Sequence, residues 1–458
     1  MSERGGRRPA PRLLGVAILA GAMAASGVFL DRSEIDRTPA GEGASFRTGA
    51  WFCPHGGAAG WRGWIVLANP GGRAVQVRTT SITSTGAPEV SSFSIGPRRQ
   101  LYREVPAAEP GAATQVEYFG GWVGVAALTV TSADRQAIAA QLCAGAPHGE
   151  WFLLDAPTAR DQTAYVVVMN PFAAAAAVDV VLRTEERIVA PGTLTPLVVP
   201  AGRSIGIRLN DFVVLGFGER TLAVQVVPKV GRVVVGGLDV SPGSVRSEIG
   251  LPGPQTGWSF AAKGIGGWTV PSLSPGPVGA ELSFVAQSPA GQQLLPDLSD
   301  VTLEPEGVRT FALDVEGQEG ALVRSINGRP VVAMARLAGS GNDGVTINGA
   351  ARSYRRWLVL PALPPTGGTA SLVVSNPGLE SARVTVELLG EAGPMPSERL
   401  EALTVPPGAT RVWQLPGDDE GVPVSALVRS TGASVVAGSS GSVGEDGFAA
   451  TLGVPLTP

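Results

Sequence analysis

The sequence predicts an all-β protein, and three observations support this fold class. Short apolar runs recur along the whole chain, and the 62 glycines and 38 prolines fall between these runs rather than in low-complexity tracts. Several segments alternate apolar and polar residues, which is the pattern of a half-buried strand. Similar phrases return about every hundred residues. Short strands with turn signals at this spacing are typical of antiparallel sandwiches.

Length and charge narrow the class further. A chain of 458 residues exceeds one ordinary core, so three or four domains are expected. Apolar residues make up 44% and charged residues 16%, which is enough to fill a core and argues against a disordered chain. The net charge is -4, and Lys229 and Lys263 are the only lysines among 35 basic residues. We therefore expect no nucleic-acid partner.

A basic flank and an apolar stretch open the chain. Four arginines precede the uncharged residues 13–30, after which acidic residues return. This pattern predicts a signal anchor or a signal peptide over residues 1–30 and a linker over residues 31–49. A retained anchor would leave a single-pass membrane protein with its C-terminal region outside the cell. Cleavage after Ala22-Met23-Ala24 would release a secreted protein, and a buried cytosolic helix is the remaining alternative.

Two cysteines bracket the first repeat. Cys53 and Cys143 are the only cysteines, and an even count outside the membrane favours one disulfide. Such a bridge would add about 4 kcal/mol to the free energy of unfolding by restricting the unfolded chain. The only histidines, His55 and His148, lie beside the cysteines, so a Cys2His2 zinc site is the alternative, although the spacings differ from those of common zinc sites. We otherwise expect no metal and no cofactor.

Four tryptophans mark an internal repeat. They begin similar phrases 100, 107 and 99 residues apart, at Trp51, Trp151, Trp258 and Trp357. In three of the repeats an apolar run then ends in Asn-Pro, which closes a buried strand with a turn. The third repeat has diverged, and its counterpart is expected at Ser288-Pro289, delayed by an insertion around 266–277. A tryptophan that recurs in this way indicates a shared core residue.

The rest of each repeat follows one plan. An alternating strand leads through a proline-centred turn to another strand, and each repeat ends in a predicted hairpin such as the one at Asn327-Gly328. Six or seven strands per repeat predict four tandem immunoglobulin-like antiparallel β-sandwiches. Their expected bounds are 50–147, 148–250, 251–350 and 351–458. The Gly/Pro-rich stretches 144–149, 241–256 and 339–353 are interpreted as short linkers.

A β-propeller is the competing fold. Its blades recur at about 40–50 residues, less than half of the period seen here. The sandwich interpretation is therefore preferred.

One known family shares this order of features. The export segment, Trp51-Phe-Cys-Pro, a strand ending in Asn-Pro-Gly, a Val-Pro-Ala-Gly strand and a second cysteine resemble an uncharacterised family of actinobacterial envelope proteins, the domain of unknown function 5719. The resemblance covers roughly residue 50 to the C-terminus. It implies an exported, membrane-tethered protein and supplies no activity.

No motif in the sequence predicts catalysis. Neither histidine accompanies a serine nucleophile elbow, and the segment Gly438–Ser442 is interpreted as a turn. The glycine-rich stretches lack the strand-to-helix entry that phosphate binding needs. The acidic clusters Asp418–Glu420 and Asp297 with Asp300 lack the pattern of a known calcium loop, so solvated loops are expected there. The protein is therefore predicted not to be an enzyme.

Three other tryptophans are candidates for ligand contact. Trp61 and Trp64 lie near the predicted disulfide, and Trp268 lies in the insertion. For each of the three, packing in a local core is the alternative to a ligand contact. The preferred hypothesis is a structural or protein-interaction scaffold of the cell envelope, with envelope proteins as partners and the membrane reached through the N-terminal helix. The alternatives are a carbohydrate-binding protein that contacts cell-wall or exported polysaccharide, and an unrecognised hydrolase.

Overall fold

The structure is a computed structural model that describes residues 48–132, 137–216, 218–264, 266–339, 343–396, 400–444 and 447–456. These residues belong to one compact unit. They form 36 strands in eight antiparallel sheets and three short 3₁₀ turns, which confirms the all-β prediction. The predicted membrane or signal segment over residues 1–30 lies outside the described residues. Within the described residues, no helix has the length and apolar character needed to span a bilayer.

The sheets fall into four pairs along the chain, which we call the four quarters. The first quarter contains β1 (Thr48–Cys53), β2 (Arg62–Asn69), β3 (Val75–Ile82), β4 (Glu89–Ile95), β5 (Arg99–Pro106), β6 (Ala113–Phe119), β7 (Gly124–Val130) and β8 (Ile138–Leu142). Its sheets have the strand orders β1-β6-β3-β4 and β5-β2-β7-β8.

The second quarter contains β9 (Trp151–Leu153), β10 (Thr163–Asn170), β11 (Ala176–Arg183), β12 (Ile188–Val189), β13 (Leu197–Val199), β14 (Arg203–Arg208), β15 (Ala223–Val230), β16 (Val234–Ser241) and β17 (Ser244–Ile249). Its sheets have the orders β9-β15-β11-β12 and β14-β10-β16-β17, with β13 also paired to β11.

The third quarter contains β18 (Gly257–Ala261), β19 (Trp268–Leu273), β20 (Ala280–Ser288), β21 (Gly291–Leu294), β22 (Val301–Leu303), β23 (Val308–Leu313), β24 (Gly320–Ser325), β25 (Val332–Ala338) and β26 (Gly344–Asn348). Its sheets have the orders β18-β24-β20-β21 and β23-β19-β25-β26, with β22 also paired to β20.

The fourth quarter contains β27 (Arg356–Val359), β28 (Thr369–Ser375), β29 (Ala382–Leu389), β30 (Pro394–Met395), β31 (Leu403–Val405), β32 (Thr410–Leu415), β33 (Ser425–Gly432), β34 (Val436–Val443), β35 (Gly447–Leu452) and β36 (Val454–Pro455). Its sheets have the orders β36-β27-β33-β29-β30 and β32-β28-β34-β35, with β31 also paired to β29. Apart from the added small strands, each quarter repeats the strand order of the first.

The four recurring tryptophans have one structural role. Each is buried, and its indole N–H donates to the backbone carbonyl oxygen of a valine later in the same quarter, so the apolar ring is in the core and its polar atom is satisfied. The pairs are Trp51–Val123, Trp151–Val233, Trp258–Val331 and Trp357–Val435, with Nε1···O distances of 2.8 or 3.0 Å.

The asparagine of the Asn-Pro motif ties together two turns. Asn170 is fully buried, and its Nδ2 group donates to the carbonyl oxygens of Ala174 at 2.9 Å and Val199 at 3.0 Å. Its Oδ1 accepts from the backbone N–H of Phe172 at 3.2 Å. The two other asparagines of the motif make equivalent contacts in the first and fourth quarters. In the second quarter this side chain therefore ties the turn between β10 and β11 to the turn between β13 and β14.

The third quarter corrects one prediction. The counterpart of the asparagine is Ser274, which follows β19, rather than Ser288, because β19 pairs with β23 and β25 as β10 pairs with β14 and β16. Ser274 Oγ donates to the Val278 carbonyl oxygen at 3.3 Å. The predicted delay is wrong, and Trp268 begins a core strand instead of lying in an insertion. Ser274 is followed by Pro275-Gly276, as Asn69 is followed by Pro70-Gly71, but Ser288-Pro289 offered a second Ser-Pro after an apolar run, and the sequence alone did not separate the two.

Each quarter ends in a hairpin, β7 with β8, β16 with β17, β25 with β26 and β34 with β35, but the hairpins were predicted one strand too early. Strand β24, before Asn327-Gly328, belongs to one sheet of the third quarter, and β25, after it, belongs to the other. The chain therefore crosses between sheets at this turn, and Gly328 supplies the positive φ of 72° that the turn requires. The segment Gly438–Ser442, interpreted as a turn, lies within the buried strand β34.

Four edge strands meet at the centre of the unit. Strands β8, β17, β26 and β35 each form one edge of a sheet, and β8 contacts β17, β17 contacts β26, β26 contacts β35, and β35 contacts β8. We call these four strands the edge-strand ring. Two of the stretches interpreted as linkers, 241–256 and 339–353, contain β17 and β26 and are therefore part of this ring.

Neighbouring quarters share cores and polar contacts. One hydrophobic cluster runs through the first and fourth quarters, which are the most distant in sequence. At this seam the Tyr102 hydroxyl donates to the Leu363 carbonyl oxygen at 3.0 Å, and Gln100 Oε1 accepts from the Ser425 backbone N–H at 2.7 Å. Between the first two quarters, a Cβ atom at residue 236 would lie 2.4 Å from the Pro54 carbonyl oxygen, so only glycine fits there.

We predict that Asn170→Leu lowers the free energy of unfolding by about 3 kcal/mol, because it leaves buried carbonyl groups without donors. The midpoint of urea unfolding should fall without a change in the denaturant slope. Asn327→Ala is the control, because Asn327 is exposed, and it should shift stability by less than about 0.5 kcal/mol. Equal effects of the two substitutions would contradict the role assigned to Asn170.

Candidate functional site

The cysteines form the predicted disulfide. Cys53 ends β1 and Cys143 follows β8, with their Cα atoms 4.6 Å apart, and the bridge closes the first quarter. Because both sulfurs are bonded to each other, neither is a thiolate ligand, and the Cys2His2 zinc alternative is wrong. His55 is buried, its Nδ1 donates to the Gly56 carbonyl oxygen at 2.8 Å, and its Nε2 lies 3.1 Å from Thr114 Oγ1. Burial lowers the pKa of His55 to about 4.

The tryptophans chosen as ligand contacts lie mostly in the core. Trp64 is 4% exposed and Trp268 is 2% exposed, so neither indole offers a face to a ligand at the surface. Trp61 is half-buried and packs against a small cluster that includes Val245 of β17. The guanidinium of Arg62 lies over the Trp64 ring, 4.7 Å from its centroid. The expectation of an exposed contact is therefore corrected for Trp64 and Trp268, and Trp61 alone keeps partial access to solvent.

The acidic clusters of the sequence have local roles. Asp418 Oδ1 accepts from the backbone N–H groups of Glu420 at 3.0 Å and Val422 at 2.9 Å, so this carboxylate stabilises its own turn. Asp297 and Asp300 are exposed.

A buried charge cluster lies beside the edge-strand ring, where the sequence predicted no site. Arg246 of β17 lies 3.3 Å from Asp155 Oδ2 and 3.4 Å from Asp239 Oδ2, and all three side chains are buried. The third quarter joins this cluster, because Thr346 Oγ1 donates to Asp155 Oδ2 at 2.8 Å and Arg336 lies 3.7 Å from Asp155 Oδ1. One guanidinium thus serves two carboxylates of its own quarter, and the contacts to Asp155 from Thr346 and Arg336 cross the seam to the third quarter.

Burial changes the ionisation of this cluster. Loss of solvation raises the pKa of Asp239 to about 7, against the opposing attraction of Arg246. Loss of solvation, with repulsion from Asp239 and Asp155, raises the pKa of Glu248 well above its ordinary value. The pKa of Arg246 is also raised: burial lowers it, but attraction to the surrounding carboxylates outweighs that effect. Two carboxyl groups near the ring are therefore protonated more readily than in water.

The carboxylate of Asp343 connects three quarters. Asp343, just before β26, accepts from Ser244 Oγ at 2.9 Å, from the Phe448 backbone N–H at 2.6 Å and from the Gly344 backbone N–H at 2.8 Å. These donors come from the second, fourth and third quarters. Burial raises the pKa of Asp343 to about 6, although the three hydrogen bonds oppose this shift.

A small cavity of about 20 Å³ lies between the four strands of the edge-strand ring. Three consecutive residues from each strand line it: 140–142, 247–249, 346–348 and 450–452. Across the described parts of the chain, no cluster of three or more His, Cys, Asp or Glu side chains is arranged to hold a metal ion. Any chemistry in this cavity would therefore use a single carboxylate together with amide and hydroxyl groups.

Sequence reasoning missed Arg246, Glu248 and Asp343 because they lie in stretches interpreted as linkers. A weak signal was present, since residues 245–249 read Val-Arg-Ser-Glu-Ile and place charged side chains on one face of a short strand. Only the contacts between quarters bury that face.

We predict that Asp239→Asn weakens the pH dependence of stability between about pH 4 and pH 7. The pKa of Asp239 is about 7 in the folded state and 3.8 as its ordinary value, so the folded state holds the proton more tightly. Asp239 therefore makes the free energy of unfolding fall as pH rises through this window, and asparagine removes that contribution. Urea midpoints at pH 4.5, 6 and 7.5 measure the slope.

The exposed Asp297→Asn serves as the control for this measurement and should keep the wild-type slope. An unchanged slope in Asp239→Asn would show that the Asp239 carboxyl does not hold its proton as described.

The comparisons with known proteins give a family but no activity. The model of a family of unknown function, DUF5719, matches residues 112–354 and 345–450. No curated protein matches the chain. A solved structure described as Thermotoga maritima 1070 aligns at 16% identity over 21% of this chain and 94% of its own, with a TM-score of 0.19. Trypsin-activated alpha-2-macroglobulin from Escherichia coli aligns at 10% identity over 90% of this chain and 42% of its own, with a TM-score of 0.12.

Both TM-scores lie below 0.5, so neither likeness assigns a fold or a function. The family match covers more than half of the chain and agrees with the resemblance seen in the sequence. The chain belongs to the DUF5719 family of unknown function.

Proposed function

We propose that this protein is a non-enzymatic scaffold exported to the cell envelope, where four immunoglobulin-like sandwiches act as one rigid body for protein contacts. On this proposal the four quarters are copies of one unit. The N-terminal segment either anchors the chain as a single membrane pass or is cleaved to release it. Its partners are other envelope proteins.

The edge-strand ring carries this proposal. Because each quarter packs against two others through β8, β17, β26 or β35, no quarter can turn without breaking buried contacts at two seams. Shared hydrophobic clusters and buried hydrogen bonds across the seams support the same rigidity. A body of this kind holds its outer sheets at fixed positions, which suits a scaffold better than a chain of freely linked domains.

Two further features support export and the proposal that the four quarters are copies of one sandwich. A disulfide is typical of proteins outside the cytoplasm, and Cys53–Cys143 closes the first quarter. The recurring tryptophan and asparagine contacts, with one strand order, support four copies of one sandwich. That order differs from the strand order of immunoglobulin domains, so the likeness is one of architecture. The carbohydrate-binding alternative loses support, since Trp64 and Trp268 are buried.

Export predicts that a surface cysteine is reachable from outside the cell. Leu379 is 90% exposed and the chain has no free cysteine, so Leu379→Cys introduces a single reactive thiol. We expect a membrane-impermeant maleimide to label this variant on intact cells, and to leave the unmodified protein unlabelled. Labelling only after lysis would contradict export.

The scaffold role predicts a specific neighbourhood. A proximity-labelling enzyme fused to the C-terminus should enrich a reproducible set of envelope proteins on intact cells. The control is the same enzyme fused after residues 1–49, which retains the export segment without the sandwiches. If both fusions label the same proteins, the sandwiches have no specific partner and the scaffold proposal fails.

A further inference from the structure

The seam between the third and fourth quarters contains an open groove of about 380 Å³. Its lining includes Ser259 and Leu322, which pair across β18 and β24, and Pro377-Gly378 of the Asn-Pro turn in the fourth quarter. Arg324 and residues 351–353 also line it. Pockets that hold ligands have volumes of about 300–1,000 Å³, so this groove is large enough for a ring or a side chain from outside.

The seam between the first and second quarters is built in the same way. A Cβ atom at residue 236 would lie 2.4 Å from the Pro54 carbonyl oxygen, and one at residue 438 would lie 2.6 Å from the Ala261 carbonyl oxygen. Each carbonyl belongs to the third residue after a recurring tryptophan, and each glycine is the third residue after the valine that accepts from a tryptophan indole. The two seams can therefore be compared position by position.

Two phenyl rings stand at the first of these seams where the groove has small residues. Phe52 is the equivalent of Ser259, because each directly follows a recurring tryptophan, and Phe172 is the equivalent of Gly378, because each directly follows an Asn-Pro motif. The two rings pack with their centroids 6.0 Å apart. The guanidinium of Arg232 lies over the Phe172 ring, 4.4 Å from its centroid. An aromatic ring beside a guanidinium is therefore what this fold places at the equivalent position.

Ser259 is the exception among the four residues that directly follow the recurring tryptophans. The other three, Phe52, Phe152 and Leu358, are large and apolar, and each is at most 6% exposed. At the third seam both facing positions, Ser259 and Gly378, lack such a side chain. The groove is the space that this absence leaves.

The lining of the groove carries two positive charges and no negative charge. Arg324 and Arg352 are exposed, and in the parts of the chain that the structure describes neither guanidinium has an ion pair or a hydrogen bond. The first quarter has Glu117 at the position equivalent to Arg324, and Arg78 pairs with this carboxylate at 2.6 Å. Ser283 takes the place of Arg78 beside Arg324. Guanidinium groups bind carboxylates, so charge complementarity favours an acidic occupant.

We propose that this groove binds an extended segment of a partner protein, which inserts an aromatic side chain between Leu322 and Gly378 and presents acidic residues to Arg324 and Arg352. Aromatic anchors in pockets supply much of the affinity of protein interfaces, and arginine clusters recognise acidic motifs. Exposed ion pairs are weak, so the ring supplies most of the binding energy and the arginines select its neighbours. This inference gives the scaffold a contact surface and rests on that proposed function for the source of the segment.

The test is fluorescence polarisation of the labelled peptide Gly-Ser-Asp-Phe-Asp-Ser-Gly, titrated with the purified full-length chain. We expect saturable binding. Alanine in place of the peptide's phenylalanine should weaken binding at least about tenfold, because the buried ring is lost. Asparagine in place of both aspartates should weaken it about fivefold and remove most of its dependence on salt.

Gly378→Phe tests the location of the site. This substitution gives the fourth quarter the ring that the second quarter has at Phe172, so it should fill the groove and weaken peptide binding at least about tenfold while both arginines remain. Gly71→Phe is the matched control, because Gly71 follows the Asn-Pro motif of the first quarter and does not line the groove. It should bind the peptide as the unmodified chain does. Arg324→Gln, at an exposed position, should keep the wild-type Tm and weaken binding about threefold.

Three outcomes would contradict the proposal. The unmodified chain would fail to distinguish the phenylalanine peptide from the alanine peptide, or Gly378→Phe would bind the peptide as tightly as Gly71→Phe does. Displacement of the peptide by an equal concentration of free phenylacetate would make the groove a small-molecule site instead. These titrations use the purified chain, so export or proximity labelling can fail without changing their results.

Discussion

The edge of a β-sheet presents unpaired backbone groups and must be covered, and that constraint organises this molecule. In each quarter the strand order leaves β8, β17, β26 or β35 at one edge of a sheet. The four edges cover one another, so each quarter supplies the protection that its neighbours need. The shared hydrophobic cluster of the first and fourth quarters follows from the same closure, since the two ends of the array must meet.

Closure also explains why polar residues are buried at the centre. Short edge strands carry polar side chains that would face water in an isolated sandwich, and the ring removes that water. Arg246 and the three carboxylates around it lie in the second quarter and depend on one another, which makes them costly to alter singly, and Thr346 and Arg336 of the third quarter contact Asp155 across the seam. Asp343 meets the same demand with three hydrogen bonds to three quarters. Polar contacts of this kind fix the register in which the quarters meet.

Local patterns in the sequence predicted what is local in the structure. The alternation of β3 and β29, the recurring tryptophans and the single disulfide follow from periodicity, spacing and cysteine count, and the structure contains them. Turn chemistry at Asn327-Gly328 shows that the chain reverses, but cannot show whether the next strand pairs with the last or crosses to the other sheet. Burial of Trp64 and Trp268, and the cluster around Arg246, depend on contacts between distant segments, which no local pattern encodes.

Hydrogen exchange of the full-length chain tests the closed ring most directly, because amides exchange at rates set by local opening. Peptides from β8 and β35 join the first quarter to the fourth, and their amides should exchange as slowly as those of the inner strands β7 and β34 beside them. Exchange of β8 and β35 as fast as that of exposed loops, with β7 and β34 still protected, would show that these edges are open to solvent and that the four quarters do not form one body.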